Sequence, residues 1–193
     1  MANLFETNTN DIQFLLDHVG KEVLINDVPV KVLLSNPPMN IFMDYEDKYI
    51  STLQDVSRGD LVHYEGNKYL IITESVTKRG GKYKALMRHC NYDIEIITEE
   101  ICVDTGQVDW RGDPIIECTP GGTIQIPSIV DNKSFSVDGN NAINLPNNQI
   151  LITMQDNETN KGSFIVNYEF TLMDKLWKVL NVDLTKNGLM ILT

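Results

Sequence analysis

No stretch of this sequence is apolar for long enough to cross a bilayer as a helix, which takes about 20 residues. The opening segment MANLFETNTND lacks the basic patch and apolar core of a signal peptide, so secretion by that route is not expected. Cysteine is scarce. Cys90, Cys102 and Cys118 are odd in number and lack close metal-ligand spacing, so they are read as reduced thiols of a cytosol-assembled protein. Positive charge is scarce too: 16 Lys and Arg face 27 Asp and Glu, a net charge of −11. Such a field does not draw the chain to a nucleic-acid backbone or an anionic membrane. It does suit a passage through which nucleic acid slides, because weak repulsion prevents sticking.

Catalytic signatures are missing as well. There is no nucleophile elbow, phosphate loop or dinucleotide fingerprint. His18 falls on the polar side of a predicted helix, His63 alternates within a predicted strand, and His89 adjoins Cys90 without the two further ligands that zinc needs. Asp44, Glu46 and Asp47 cluster in MDYEDKY but lack the glycine and carboxylate spacing of a calcium loop, and are read as solvated surface. No catalytic, cofactor-binding or metal-binding residue is expected, and the chain is not read as an enzyme.

What is present is ordinary globular material. Hydrophobic residues make up 42% and charged residues 22% of 193, enough for one large domain or two small ones. In DIQFLLDHV, Ile12, Leu15, Leu16 and Val19 share one helix face, with Asn10 as cap and Gly20 as stop. A helix this short must dock on something, its own domain or a partner subunit. From Lys21 the period becomes that of strands. KEVLINDVPVKVLL reads as two strands around Asn26-Asp27, SNPPMN as a breaker, and Lys48–Leu53, Gly59–Tyr64, Lys68–Glu74 and Lys82–Cys90 as further strands. Their links, Glu65-Gly66-Asn67 and residues 77–81, supply glycine for tight turns. The expected fold is mainly β. A short N-terminal helix and a small β-barrel occupy 1–92, a connecting segment 93–113, and a second β-sandwich or barrel-like module 114–193. Within the connecting segment, Asp93–Cys102 can add a strand to one sheet.

Three local features need separate treatment. Arg-Gly-Asp occurs twice, at 58–60 and 111–113, each time just before a predicted strand. Gly59 permits a turn and Asp60 can bond nearby backbone, so the pair reads as turn chemistry rather than as adhesion motifs. A weak repeat relates 50–55 to 151–156, 69–72 to 177–180 and 83–87 to 189–192, consistent with two related β modules. Lys78, Arg79, Gly80, Gly81 and Lys82 form a basic tip in an acidic chain, either a solvated turn or a loop that meets phosphate or an acidic partner.

The run Tyr49–Asn91 carries Gly59-Asp60-Leu61, the turn glycine Gly66, the aromatic-led Tyr69-Leu70-Ile71 and the closing KALMRHC. In this it resembles neck proteins of tailed bacteriophages, the head-closure (stopper) and head–tail connector family. The resemblance covers less than a quarter of the chain and leaves Ile115–Thr193 unaccounted for. It implies a structural virion protein assembled in the host cytoplasm: a homo-oligomeric ring that contacts portal or adaptor and tail proteins. Genomic DNA would pass through its lumen without sequence-specific binding, and no membrane would be involved. It also implies that a loop gates the channel, for which 78–82 is the candidate, while Ile12, Leu15, Leu16 and Val19 are the candidate docking helix. A tail-completion, tail-tube or baseplate protein is the near alternative. A receptor- or carbohydrate-binding β-sandwich is the alternative from another class. Tyr64, Tyr69, Tyr83, Tyr168 and Trp177 sit in strand patterns where core is expected, which weighs against the latter.

Overall fold

The computed structural model describes residues 9–36, 46–77, 81–97, 101–108, 110–119, 121–132 and 149–193. It opens with helix α1 (Thr9–Val19), closed by Gly20, whose N–H bonds Leu16 O at 3.1 Å. Strands β1 (Lys21–Ile25), β2 (Val28–Ser35), β3 (Lys48–Thr52), β4 (Leu61–Tyr64), β5 (Asn67–Ile71), β6 (Val76–Thr77) and β7 (Tyr83–His89) follow. Six of these pair in the circular order β1-β2-β3-β7-β5-β4 and back to β1, all antiparallel, with β6 flanking β7. The module is thus a closed six-stranded barrel, and closure leaves none of those strands with an unpaired edge.

The local sequence explains the hairpins. Asn26-Asp27 (φ 47° and 66°) and Glu65-Gly66 (48° and 80°) are two-residue loops with both residues at positive φ, the form whose twist matches that of the strands. Alternation then decides which side chains point inward. Val23, Ile25, Val30, Val32, Ile50, Val56, Val62, Tyr69, Ile71, Ala85 and Met87 fill the barrel. Each fully buried aliphatic side chain contributes roughly 1.5–3 kcal/mol.

The second module contains β8 (Tyr92–Ile97), β11 (Thr123–Asn132), β12 (Ile150–Gln155), β15 (Val182–Asp183) and β16 (Leu189–Leu192), once β9 (Ile101–Val108) and β10 (Pro114–Thr119) are set aside. These five form an antiparallel sheet in the order β15-β16-β12-β11-β8. Helix α2 (Glu158–Ser163) and the hairpin of β13 (Glu169–Leu172) and β14 (Lys175–Lys178) cover one face. Phe164, Phe170, Leu172 and Val179 bury against Ile94, Ile126, Ile152, Met154 and Met190. This is an open, covered sheet rather than a second barrel. The proposed repeat survives only in that β3–β7 and β12–β16 are both antiparallel pairs; β5 joins the barrel through β4 and β7, whereas β14 pairs β13 in a separate ribbon.

The segment 93–113 does more than connect. Residues 93–97 belong to β8, which pairs with β11 in the second sheet. Beyond it, β9 and β10 form a two-stranded ribbon of their own. Every described side chain from 102 to 118 is exposed, so this ribbon is an arm standing off the body.

Candidate functional site

The two modules are locked together, and the first Arg-Gly-Asp is the lock. Gly59 stands at φ 94° with its Cα against the 187–188 turn of the second module; a Cβ there would lie 1.9 Å from Gly188 O. Gly188, at φ 85°, meets Arg58 O in the same way, so two glycines let two backbones touch. Arg58 Nε donates to Asn187 O at 2.8 Å, and its Nη2 lies 3.2 Å from Glu74. Both Asp60 carboxylate oxygens are engaged: Oδ2 accepts from Ser57 N at 2.7 Å and Oδ1 from Asn26 Nδ2 at 2.8 Å. Asn26 Oδ1 in turn accepts from Leu61 N at 3.0 Å and from Gln155 Nε2 at 3.3 Å. The first copy is therefore structural, as its turn chemistry predicts.

Around this clasp the contact is apolar. Leu70, Cys90, Ile129 and Leu189 form a buried cluster shared by the two modules, with Leu61 and Ile72 packed against it. It is why β5 is buried on both faces: Tyr69 and Ile71 point into the barrel and Leu70 out into the second module. Asn91 pairs its side-chain amide with both Val130 N and Val130 O, at 2.7 and 2.9 Å, and Lys68 holds Asp93 at 2.9 Å. Burial pushes the Cys90 thiol up to about 12, so it stays protonated and unreactive.

Two expectations from the sequence are corrected here. Cys102 and Cys118 are not reduced thiols. They stand directly opposite each other in the β9–β10 ladder with Cα atoms 4.0 Å apart, and their sulfurs are bonded. Sixteen residues of separation hid a pairing that only the hairpin register creates. Nor is Asp47 solvated: it is 5% exposed, and Arg88 grips it through Nε and Nη2 at 2.9 and 3.0 Å. Asp44 lies outside the described residues.

The candidate docking helix is split. Leu16 is buried and Ile12 half-buried, while Leu15 and Val19, with Phe14, are exposed. The helix lies against β2 and is tethered there by Lys31 Nζ to Asp17 at 3.0 Å, which holds the Asp17 carboxyl below its usual range. It docks on its own barrel and still presents an apolar ridge outward. Of the candidate loop, Lys78, Arg79 and Gly80 lie outside the described residues; Gly81 has φ 70° and Lys82 is half-buried. Tyr69 is buried, and Tyr64, Tyr83, Tyr168 and Trp177 pack partly buried on the two cores. His18 stacks on Phe14 and His89 meets the Tyr69 ring edge.

Chemistry does not converge anywhere among the described residues. No group of three His, Cys, Asp or Glu could hold a metal ion there. An apolar indentation beneath Phe170, Trp177 and Leu192 measures about 40 Å³, room for little more than water. A trough of about 560 Å³ is open, polar and lined by the clasp residues Ser57, Arg58, Asn187 and Gly188. The groups with shifted ionisation are scattered, each with a local cause. Tyr64 is raised by the hydrogen bond to Glu65, Lys161 is raised by that to Asp156, and Asp183 is lowered by those from Thr185.

The feature that sequence reasoning missed is the arm. Val103, Val108, Ile115, Ile116 and Trp110 are all exposed on it, Trp110 by 84%, with Arg111 stacked 4.4 Å over the indole. The second Arg-Gly-Asp is at its tip, where Gly112 turns the chain at φ 93°. Helix α2 was missed too, although its signal was present: Asn157 caps it, its side chain accepting from Asn160 N at 2.8 Å.

Known proteins divide the chain where the structure does. Residues 3–89 match the YomX N-terminal domain and residues 92–193 the YomX C-terminal domain. One similar protein is the "SPbeta prophage-derived uncharacterized protein YomX" of Bacillus subtilis (strain 168), 30% identical over 114 residues. The match covers 58% of this chain and 52% of that protein, so the chain spans about half the length of the relative. No solved structure matches. With its barrel and its second module each matched by one of the two domains in order, the chain belongs to the YomX family.

Proposed function

We propose that this chain is a non-enzymatic structural subunit of a tailed-phage particle, and specifically a ring-forming neck subunit between portal and tail. The relative's prophage origin supplies the phage context. The observation that carries assembly is the arm. A two-stranded ribbon is marginal by itself in water, and this one exposes five large apolar side chains, so it calls for a neighbour. The exposed ridge of α1 adds to the same reading. The net charge of −11 carried by the whole chain suits a wall along which DNA slides. In this reading the basic 78–82 tip faces the channel or the portal.

Particles of the phage that encodes the chain provide the test. The expected result is a ring of this chain on the head–tail axis, and Lys78, Arg79 and Lys82 changed to Ser should yield particles that leak DNA or fail to join tails. Absence of the chain from purified particles would overturn the structural reading, and a tail-tube or baseplate location would overturn the neck position. A second reading, a receptor- or carbohydrate-binding tail module, has one observation in its favour: Trp110 and the second Arg-Gly-Asp at the tip of the arm. Binding of the purified chain to host cells, lost on Trp110→Ala, would decide for it.

A further inference from the structure

We propose that the Cys102–Cys118 bond is a reversible thiol–disulfide exchange site, open to thiolates from solution, and that it switches the arm between a stapled ribbon and an open loop. Both cysteines are exposed and stand directly opposite each other in the β9–β10 ladder. Exchange needs an unobstructed approach to a sulfur, and exposed disulfides are the labile ones, whereas those sealed in a core resist reduction. The third cysteine does not interfere. Cys90 is buried between the modules with its thiol pushed up to about 12, so it neither attacks the bond nor captures a freed partner. The site is a property of the free chain and stands or falls apart from the neck reading.

The chemistry is a two-step exchange. A thiolate attacks one sulfur, forming a mixed disulfide and releasing the other sulfur as a thiolate. A second reagent thiolate then attacks the reagent sulfur of the mixed disulfide, and the two reagent molecules leave joined as a disulfide. Two electrons pass to Cys102 and Cys118, which take up two protons and become thiols. An external disulfide such as oxidised glutathione runs the sequence backwards. Little else holds the arm closed. Its described side chains are all exposed, Pro114 has no N–H to give, and the register slips between Pro114 and Ile116. The bond closes a loop with a sequence separation of 16, which in the chain-entropy account favours the closed ribbon by on the order of a hundredfold. Both cores lie outside that loop, so opening the bond frees the arm and leaves them packed. Charge sets which thiols react fastest. Between 102 and 118 there are four acidic residues and one arginine, and Asp104 lies on the same ribbon face as Cys102. An anionic thiolate is repelled there more strongly than one that also carries an ammonium group.

The oxidised full-length chain is treated with millimolar cysteamine or glutathione at mildly alkaline pH without denaturant, then alkylated and mapped. Cys102 and Cys118 are expected to be alkylated and Cys90 left untouched. Per thiolate, cysteamine should react faster than glutathione by roughly tenfold at low salt and by less at high salt. Oxidised glutathione should re-form the bond from the reduced chain. On reduction, hydrogen exchange across 102–118 should accelerate by on the order of a hundredfold, while the urea midpoint of the two cores stays unchanged. Cys102→Ser with Cys118→Ser should reproduce both results without any thiol. A bond that yields only in denaturant, or a reduced pair that does not re-form, overturns the exchange site. Glutathione reacting as fast as cysteamine at low salt overturns the charge selection. An arm as protected after reduction as before, a urea midpoint that falls with the bond, or a double variant whose arm exchanges like the oxidised chain each overturns the switch.

Discussion

Replacing Gly59 by Ala is the sharpest test of the clasp, and Gly66→Ala is its built-in control. Both glycines lie at positive φ, 94° and 80°, so an added Cβ is strained in each, by about 1–3 kcal/mol. They differ in what the Cβ meets. At Gly66 nothing lies within 4 Å. At Gly59 it would stand 1.9 Å from Gly188 O, against the 3.4 Å at which ordinary contact begins, so one backbone must retreat by about 1.5 Å. Neither partner is a side chain that can rotate away. That retreat breaks the 2.8 Å bond from Arg58 to Asn187 O, a charged hydrogen bond worth roughly 1.5–3 kcal/mol. It also opens the shared Leu70, Cys90, Ile129 and Leu189 cluster. The expected cost is about 3–6 kcal/mol for Gly59→Ala and about 1–3 for Gly66→Ala, against a total stability on the order of 5–15 kcal/mol. Urea unfolding measures both. The Cys90 thiol reports the interface directly: a thiol reagent should reach it faster in Gly59→Ala and no faster in Gly66→Ala. Equal losses for the two variants, with Cys90 shielded in both, would refute the clasp.

Other outcomes follow from the same geometry. Asp47→Ala removes both hydrogen bonds that Arg88 donates to Asp47 and should cost about 3 kcal/mol in urea unfolding, the lower end for a broken buried pair because Arg88 is partly exposed. Leu16→Asp should lower the melting temperature, whereas Leu15→Asp should leave it within a degree or two, since only Leu16 is buried. Thiol titration of the unreduced chain should find one cysteine, Cys90, and only after denaturation; peptide mapping should recover Cys102 joined to Cys118. The Asp17 carboxyl is held below its ordinary 3.8 by the hydrogen bond from Lys31, so the tether is present above that value and lost as pH falls through the depressed one. Hydrogen exchange in α1 should therefore rise with acid before the barrel opens, and Lys31→Ala should abolish that pH dependence.

Much of the barrel was legible from the chain alone, because its determinants are local. Alternating Val, Ile and Leu set which side of β1 and β2 faces inward, and Asn26-Asp27 and Glu65-Gly66 can take the positive φ that their two-residue turns require. The turn role of the first Arg-Gly-Asp was readable for the same reason. Helix α1 was legible as a helix, but its partner was not, because one apolar face can be shared between its own barrel and solvent. What only the tertiary structure decided are the contacts that join residues far apart in sequence. Gly59 meets Gly188, Asp47 meets Arg88, and Cys102 meets Cys118 because strand pairing and module packing bring them together. The arm belongs with these. Its residues have the β-branched, turn-rich composition of any core hairpin, and nothing local distinguishes a strand that will be covered from one left standing in water. Exposure is set by what the rest of the chain leaves unfilled, and that is fixed only when both cores have closed without it.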